Sequence, residues 1–163
     1  MIILNKALFL ICALMFSFLY GCSCDNKVSE DQSVMLPNPF VYVDSLKSAS
    51  LGAGFDFVCP DSVEGYSSKD ISYIKNDLIQ VVFREGEKSL CLRKARGCDD
   101  VSGDYNIYKK VESHSVNGLD VTVKSNADGL YVSIWNNGQF AFAVNSNSPL
   151  SERFMDYLIS QMK

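Results

Sequence analysis

Three pairs, Asn117-Gly118, Asp128-Gly129 and Asn137-Gly138, punctuate the second half of the chain, each lying between runs that alternate apolar with polar residues. A two-residue hairpin turn needs positive φ at its centre, which Asn, Asp and Gly adopt at least cost. The flanking runs keep a period of two: Ile79, Val81 and Phe83; Leu119, Val121 and Val123; Phe140, Phe142 and Val144. That period marks strands buried on one face. Asn76-Asp77 and Gly86 mark two further turns by the same logic. The pattern predicts about seven strands of ordinary length in an antiparallel meander of hairpins.

Two helices are expected to flank the sheet. The first covers 44–51, N-capped by Asp44 and stopped by Gly52 and Gly54. The second closes the chain. Ser148-Pro149 offers an N-cap followed by proline at the first helical position, Glu152 suits the first turn, and Leu150, Phe154, Leu158 and Met162 fall on one stripe. The expected fold class is therefore α+β: a single antiparallel sheet of about seven strands, with a short N-terminal helix and a C-terminal helix packed on it.

The N-terminus points to a location. The apolar run 7–19 (ALFLICALMFSFL) is too short for a permanent span, and it ends in Leu19-Tyr20-Gly21-Cys22, the pattern a lipoprotein signal peptidase reads. Residues 1–21 are expected to be a removable signal and Cys22 the acylated residue, so membrane lipid is one partner. Two acyl chains on that cysteine give stable anchoring where one does not. The polar, acidic stretch 22–37 has the composition of a flexible tether. The folded domain is expected over 38–163, lipid-anchored to the cell membrane on its extracytoplasmic side.

Charge and cysteines narrow the function classes. The chain carries a formal charge of −4, and its cations cluster only at Arg93-Lys94-Ala95-Arg96, which argues against nucleic acid as a partner. Of six cysteines, Cys12 leaves with the signal and Cys22 is acylated. Cys24, Cys59, Cys91 and Cys98 then permit two disulfides in three pairings. Cys91 with Cys98 is the favoured pair, because a turn within 92–97 would bring them together. No metal and no cofactor is expected, since the cysteine spacing is wrong for zinc and His114 is the one histidine.

Catalysis has a thin inventory. His114 lies in the polar string Glu112-Ser113-His114-Ser115 and reads as a solvent-open strand end, and no SxxK string offers a lysine base. Asp99, Asp100 and Asp104 share one loop and are the candidates for carboxylate-dependent hydrolysis, although no calcium-loop pattern is matched. The segment 93–108 (RKARGCDDVSGDYNIY) is the best candidate for function, with Arg93, Asp104, Tyr105 and Asn106 as its binding residues and Arg93 placed to pair with Asp104. Read structurally, Ser102-Gly103-Asp104-Tyr105-Asn106 is a turn held by Asp104. A second candidate is Trp135 with Tyr131, projecting opposite to Val132 and Ile134. Exposed, these aromatics would stack on a ligand; under the C-terminal helix, Trp135 would be core. The leading functional expectation is a non-catalytic binding or interaction module. A small hydrolase and an accessory subunit of a membrane complex are the alternatives.

The strings Asn38-Pro39-Phe40, Asp70-Ile71-Ser72, Leu92-Arg93-Lys94-Ala95 and above all Ser102-Gly103-Asp104-Tyr105-Asn106-Ile107-Tyr108, with a strand ending in Ile134-Trp135, resemble the family called domain of unknown function 4367. The resemblance spans about residues 38–162. It implies a small extracytoplasmic domain of bacterial lipoproteins and no particular activity.

Overall fold

The computed structural model describes residues 37–163. The expected signal, Cys22, Cys24 and all but the last residue of the expected tether lie outside the described residues. Among the described residues, no helix is long and apolar enough to cross a membrane.

Eight strands form one open antiparallel sheet: β1 (Val41–Val43), β2 (Ser68–Ile74), β3 (Leu78–Glu85), β4 (Lys88–Arg96), β5 (Lys110–Val116), β6 (Leu119–Asn126), β7 (Gly129–Asn136) and β8 (Phe140–Leu150). With helix α1 (Leu46–Ala53) after β1 and helix α2 (Glu152–Gln161) at the C-terminus, this is an α+β fold. The five turns expected at Asn76-Asp77, Gly86, Asn117-Gly118, Asp128-Gly129 and Asn137-Gly138 are all hairpin turns of the sheet. At the β5–β6 turn, Asn117 and Gly118 adopt φ of 52° and 81°, the pair of positive values that a tight hairpin matching the strand twist requires. One strand more than the expected seven is present, and the meander is not continuous. The sheet order is β1-β2-β3-β4-β8-β7-β6-β5. Two four-stranded meanders therefore meet where β4 pairs with β8, in register from Leu90 opposite Ser146 to Arg96 opposite Phe140. The segment 97–109 must cross β8, β7 and β6 to begin β5, a lateral distance of about 19 Å at ordinary strand spacing.

Side chains alternate between two unlike faces. Both helices supply the core of one face, where Ala49, Ala53, Met155, Leu158 and Ile159 pack on Ile79, Phe83, Leu92, Val121 and Val144. The end of the chain is sewn to the segment between α1 and β2 by reciprocal backbone bonds of 3.1 Å between Val58 and Lys163. Trp135 belongs to this core. It is 3% exposed and stacks on Phe142 at 5.4 Å between ring centroids. The expectation that Trp135 serves a binding surface is thereby corrected, because helix packing needed this face and took the largest side chain on it.

Both helix starts shift from expectation. Ser45, not Asp44, caps α1, accepting the Ser48 amide on its Oγ at 3.2 Å. Ser151, not Ser148, caps α2, accepting the Phe154 amide at 3.3 Å. Ser148 and Pro149 instead extend β8, since Leu150 is buried and stays paired with Leu130. Exposed Pro149 ends the ladder where a missing amide costs little.

Candidate functional site

The second face is covered by the chain itself. Arg93 lies on β4 rather than in a loop, and the β4 register places it beside Gln80 on β3 and Ala143 on β8. Its Nε donates to Gln80 Oε1 at 2.8 Å and its Nη1 to the Val101 carbonyl at 3.1 Å, while Gln80 Nε2 donates to Ser72 Oγ at 3.3 Å. A strand side chain thus reaches up and holds the crossing segment. From β8, Asn145 adds a bond to the Ser102 carbonyl at 3.4 Å. From β6, Lys124 Nζ donates to Asp100 Oδ2 at 3.1 Å. Gly103 packs so closely on the Arg93 guanidinium that a Cβ there would collide with Nη1.

Within the crossing segment Asp100 and Asp104 are engaged by hydrogen bonds. Asp100 Oδ1 accepts the Ser102 amide at 2.8 Å. Burial alone would raise the Asp100 pKa, but the bonds from Ser102 and Lys124 outweigh it and hold the carboxyl below the ordinary range. Asp104 Oδ1 accepts the Asn106 amide at 2.9 Å; its Oδ2 accepts the Asn106 side chain at 3.1 Å and the Tyr108 hydroxyl at 2.9 Å. Burial, and then the bond to Asp104, push the Tyr108 phenol up to about 12. Its ring lies 5.8 Å from that of Tyr131, which is half-buried rather than free to stack. The expected Arg93 to Asp104 pair does not form; Arg93 is occupied by Gln80 and Val101, and Asp104 turns to its own loop.

The crossing segment divides the second face into two clefts. The larger, about 520 Å³, has Ile74, Leu78 and Ala95 as its floor, Phe40 and Tyr105 on its walls, and Arg93 beside them. Arg96, Asp77 and Asp99 also line it. Arg93 is half-buried and has no carboxylate partner among the described residues. The smaller cleft, about 420 Å³, lies on the opposite side of Gly103 and Tyr105, over Cys91 and Asn145. Tyr105 stands on the ridge between them. Phe40, Ile74 and Leu78 were not legible as site residues, because only the β2–β3–β4 register brings them under the 97–109 segment.

Lys94 serves the opposite face, and Arg96 at the end of β4 borders the larger cleft while bonding to the turn and helix ends beside it. Lys94 is 8% exposed; its Nζ donates to the Asp56 carbonyl at 2.6 Å and lies 4.4 Å from the Phe140 ring centroid. Burial lowers its pKa. Arg96 donates to the carbonyls of Asn76 and Gly54 at 3.0 and 2.9 Å. The alternation of β4 thus separates Lys94 from Arg93 rather than massing the cations.

Among the described residues, Cys59, Cys91 and Cys98 form no disulfide with one another. The expected pairing of Cys91 with Cys98 is corrected by geometry. Five residues of extended β4 lead from Cys91 to Arg96, about 16 Å at ordinary rise, beyond the roughly 7 Å that a disulfide tolerates between Cα atoms. The segment expected to turn is a strand. His114 is half-buried within β5, opposite Val121, rather than at an open strand end. No group of metal-ligating side chains is gathered among the described residues. Compared with known proteins, the chain matches no family model, no curated protein and no solved structure.

Proposed function

We propose that this chain is a membrane-anchored extracytoplasmic lipoprotein whose domain is a non-catalytic binding module, with the larger cleft as its binding site. The apolar run closed by Leu19-Tyr20-Gly21-Cys22 supports the anchor, and membrane lipid is its partner through acylated Cys22. One observation favours binding over hydrolysis: Asp100 and Asp104 are held by Ser102, Lys124, Asn106 and Tyr108, while the Arg93 guanidinium pairs with no carboxylate among the described residues. A general acid must carry a proton in its working range, whereas Asp100 is held ionised and Asp104 is saturated by Asn106 and Tyr108. Arg93 borders an apolar floor and forms no ion pair among the described residues. Planar bidentate recognition of a carboxylate is what such a group does well, and the apolar floor of Ile74, Leu78 and Ala95 supplies the hydrophobic contact that ligand sites use. The matching ligand is a small amphipathic molecule carrying a carboxylate.

Calorimetric titration of the full chain with aliphatic carboxylates, aromatic carboxylates and short peptides tests this. At least one class should bind and lose about tenfold in affinity on Tyr105→Ala, about 1.4 kcal/mol. That variant leaves the fold alone because the side chain is exposed. No binding by any class, or binding indifferent to both Tyr105→Ala and Arg93→Lys, overturns the cleft as the site. Co-purification with membrane proteins in place of ligand binding would favour the accessory-subunit reading.

A further inference from the structure

Tyr105 and Ile107 are each 96% exposed, the highest values for large apolar side chains among the described residues. Single exposed apolar residues are ordinary. Here two stand two residues apart on a segment fixed from beneath by Asp104 and tied onward by the Lys109 amide, which donates to Asn126 Oδ1 at 3.1 Å. The tip projects outward and both side chains end in open solvent, so a fluid acceptor suits it better than a shaped one. Lys109 and Lys110 follow. Lys110 pairs with Glu112 at 2.7 Å, and Lys109 pairs with no carboxylate among the described residues. Asp100 and Asp104 of the crossing segment are already hydrogen-bonded.

Position adds to chemistry. Phe40 and Tyr105 line the same cleft, so the start of the domain and the exposed tip share one face of the sheet. Cys22 lies sixteen residues before Asn38, a path that spans at most about 55 Å. An acylated Cys22 therefore keeps this face within reach of a bilayer.

We infer that Tyr105 and Ile107 dock the domain onto the lipid surface that carries its anchor, Tyr105 at headgroup level and Ile107 among the first methylenes. An aromatic ring with a wet hydroxyl suits that depth, and an adjacent lysine meets anionic headgroups. The inference rests on the anchored reading above. Docking would also hold the mouth of the larger cleft near the membrane surface.

Trp135 is the chain's one tryptophan and is buried, so a tryptophan at the tip gives a separable signal. The full chain and its Ile107→Trp variant are placed in vesicles of anionic lipid with brominated acyl chains, and intact mass is read on the same sample for acylation at Cys22. Docking predicts that the added emission shifts to the blue and loses at least half its intensity to the brominated chains, with parent emission unchanged. Water-like emission quenched by acrylamide and not by brominated lipid overturns it, whichever state Cys22 is in. A blue shift without brominated-lipid quenching overturns the lipid occupant in favour of a protein one. Quenching in a chain without acyl groups supports docking and refutes the anchor.

Discussion

Ser133 sits fully buried in the helix-side core, between Val123 and Val144, and its Oγ has no hydrogen-bond partner among the described residues. A desolvated hydroxyl without a partner costs free energy that an apolar atom would not. Ser133→Ala should therefore leave the fold intact and raise stability by about 1 kcal/mol, read from the urea midpoint. Tyr108 makes the opposite kind of statement. Its folded pKa, pushed up from 10.0 to about 12 by burial and by the bond to Asp104, means that the folded state keeps a proton the unfolded chain has lost. The stability it contributes is complete below pH 10 and disappears as pH climbs toward 12. Melting temperatures followed through that window should fall less steeply for Tyr108→Phe than for the parent. Cys59, raised from 9.0 to about 12 mainly by burial, adds a loss of the same sign in both chains. The roles of Arg93 and Asp104 at this scale were only half legible. Residue type and loop composition singled them out, but their partners are set by sheet register and by a hydrogen bond four residues along the chain.

The hairpin turns were readable because their information is local: Asn117-Gly118 needs no distant partner to choose its dihedrals. Helix starts were less readable, since Asp44 and Ser45 are both good caps and one residue decides between them. Ser45→Ala should cost about 1 kcal/mol and Asp44→Ala a few tenths; Ser151→Ala and Ser148→Ala should divide in the same way. Denaturant midpoints for the four variants check this. The crossing segment depends on Gly103, where φ is +63° and a side chain would meet the Arg93 guanidinium. Gly103→Ala should cost roughly 2–3 kcal/mol from left-handed backbone and collision together. Gly86→Ala, at φ +55° but in open space, should cost about 1–2 kcal/mol. A difference of less than about 0.5 kcal/mol would mean that the crossing segment is not pinned as described.

The whole molecule depends on one seam. The α+β class, the antiparallel sheet and both helices followed from patterns within each element, whereas the adjacency of β4 and β8 did not, because pairing between strands some fifty residues apart leaves no periodicity to read. Leu92 lies at that seam, fully buried, opposite Val81 on one side and Val144 on the other. Leu92→Ala should cost about 2–5 kcal/mol and lower the midpoint of a single unfolding transition. Trp135 fluorescence and far-ultraviolet circular dichroism should report the same midpoint in parent and variant; separate midpoints would mean that the two meanders are independent units. The seam also fixes an order of events. Strand β8 follows all its partners in the chain and bridges the two halves, so a molecule emerging from its N-terminus holds four strands with a raw edge at β4 and a crossing segment with nothing to cross. Until the last strand arrives, both halves are unfinished sheets. The chain is built to finish folding late, because neither half of the sheet gains its last neighbour until β8 is present.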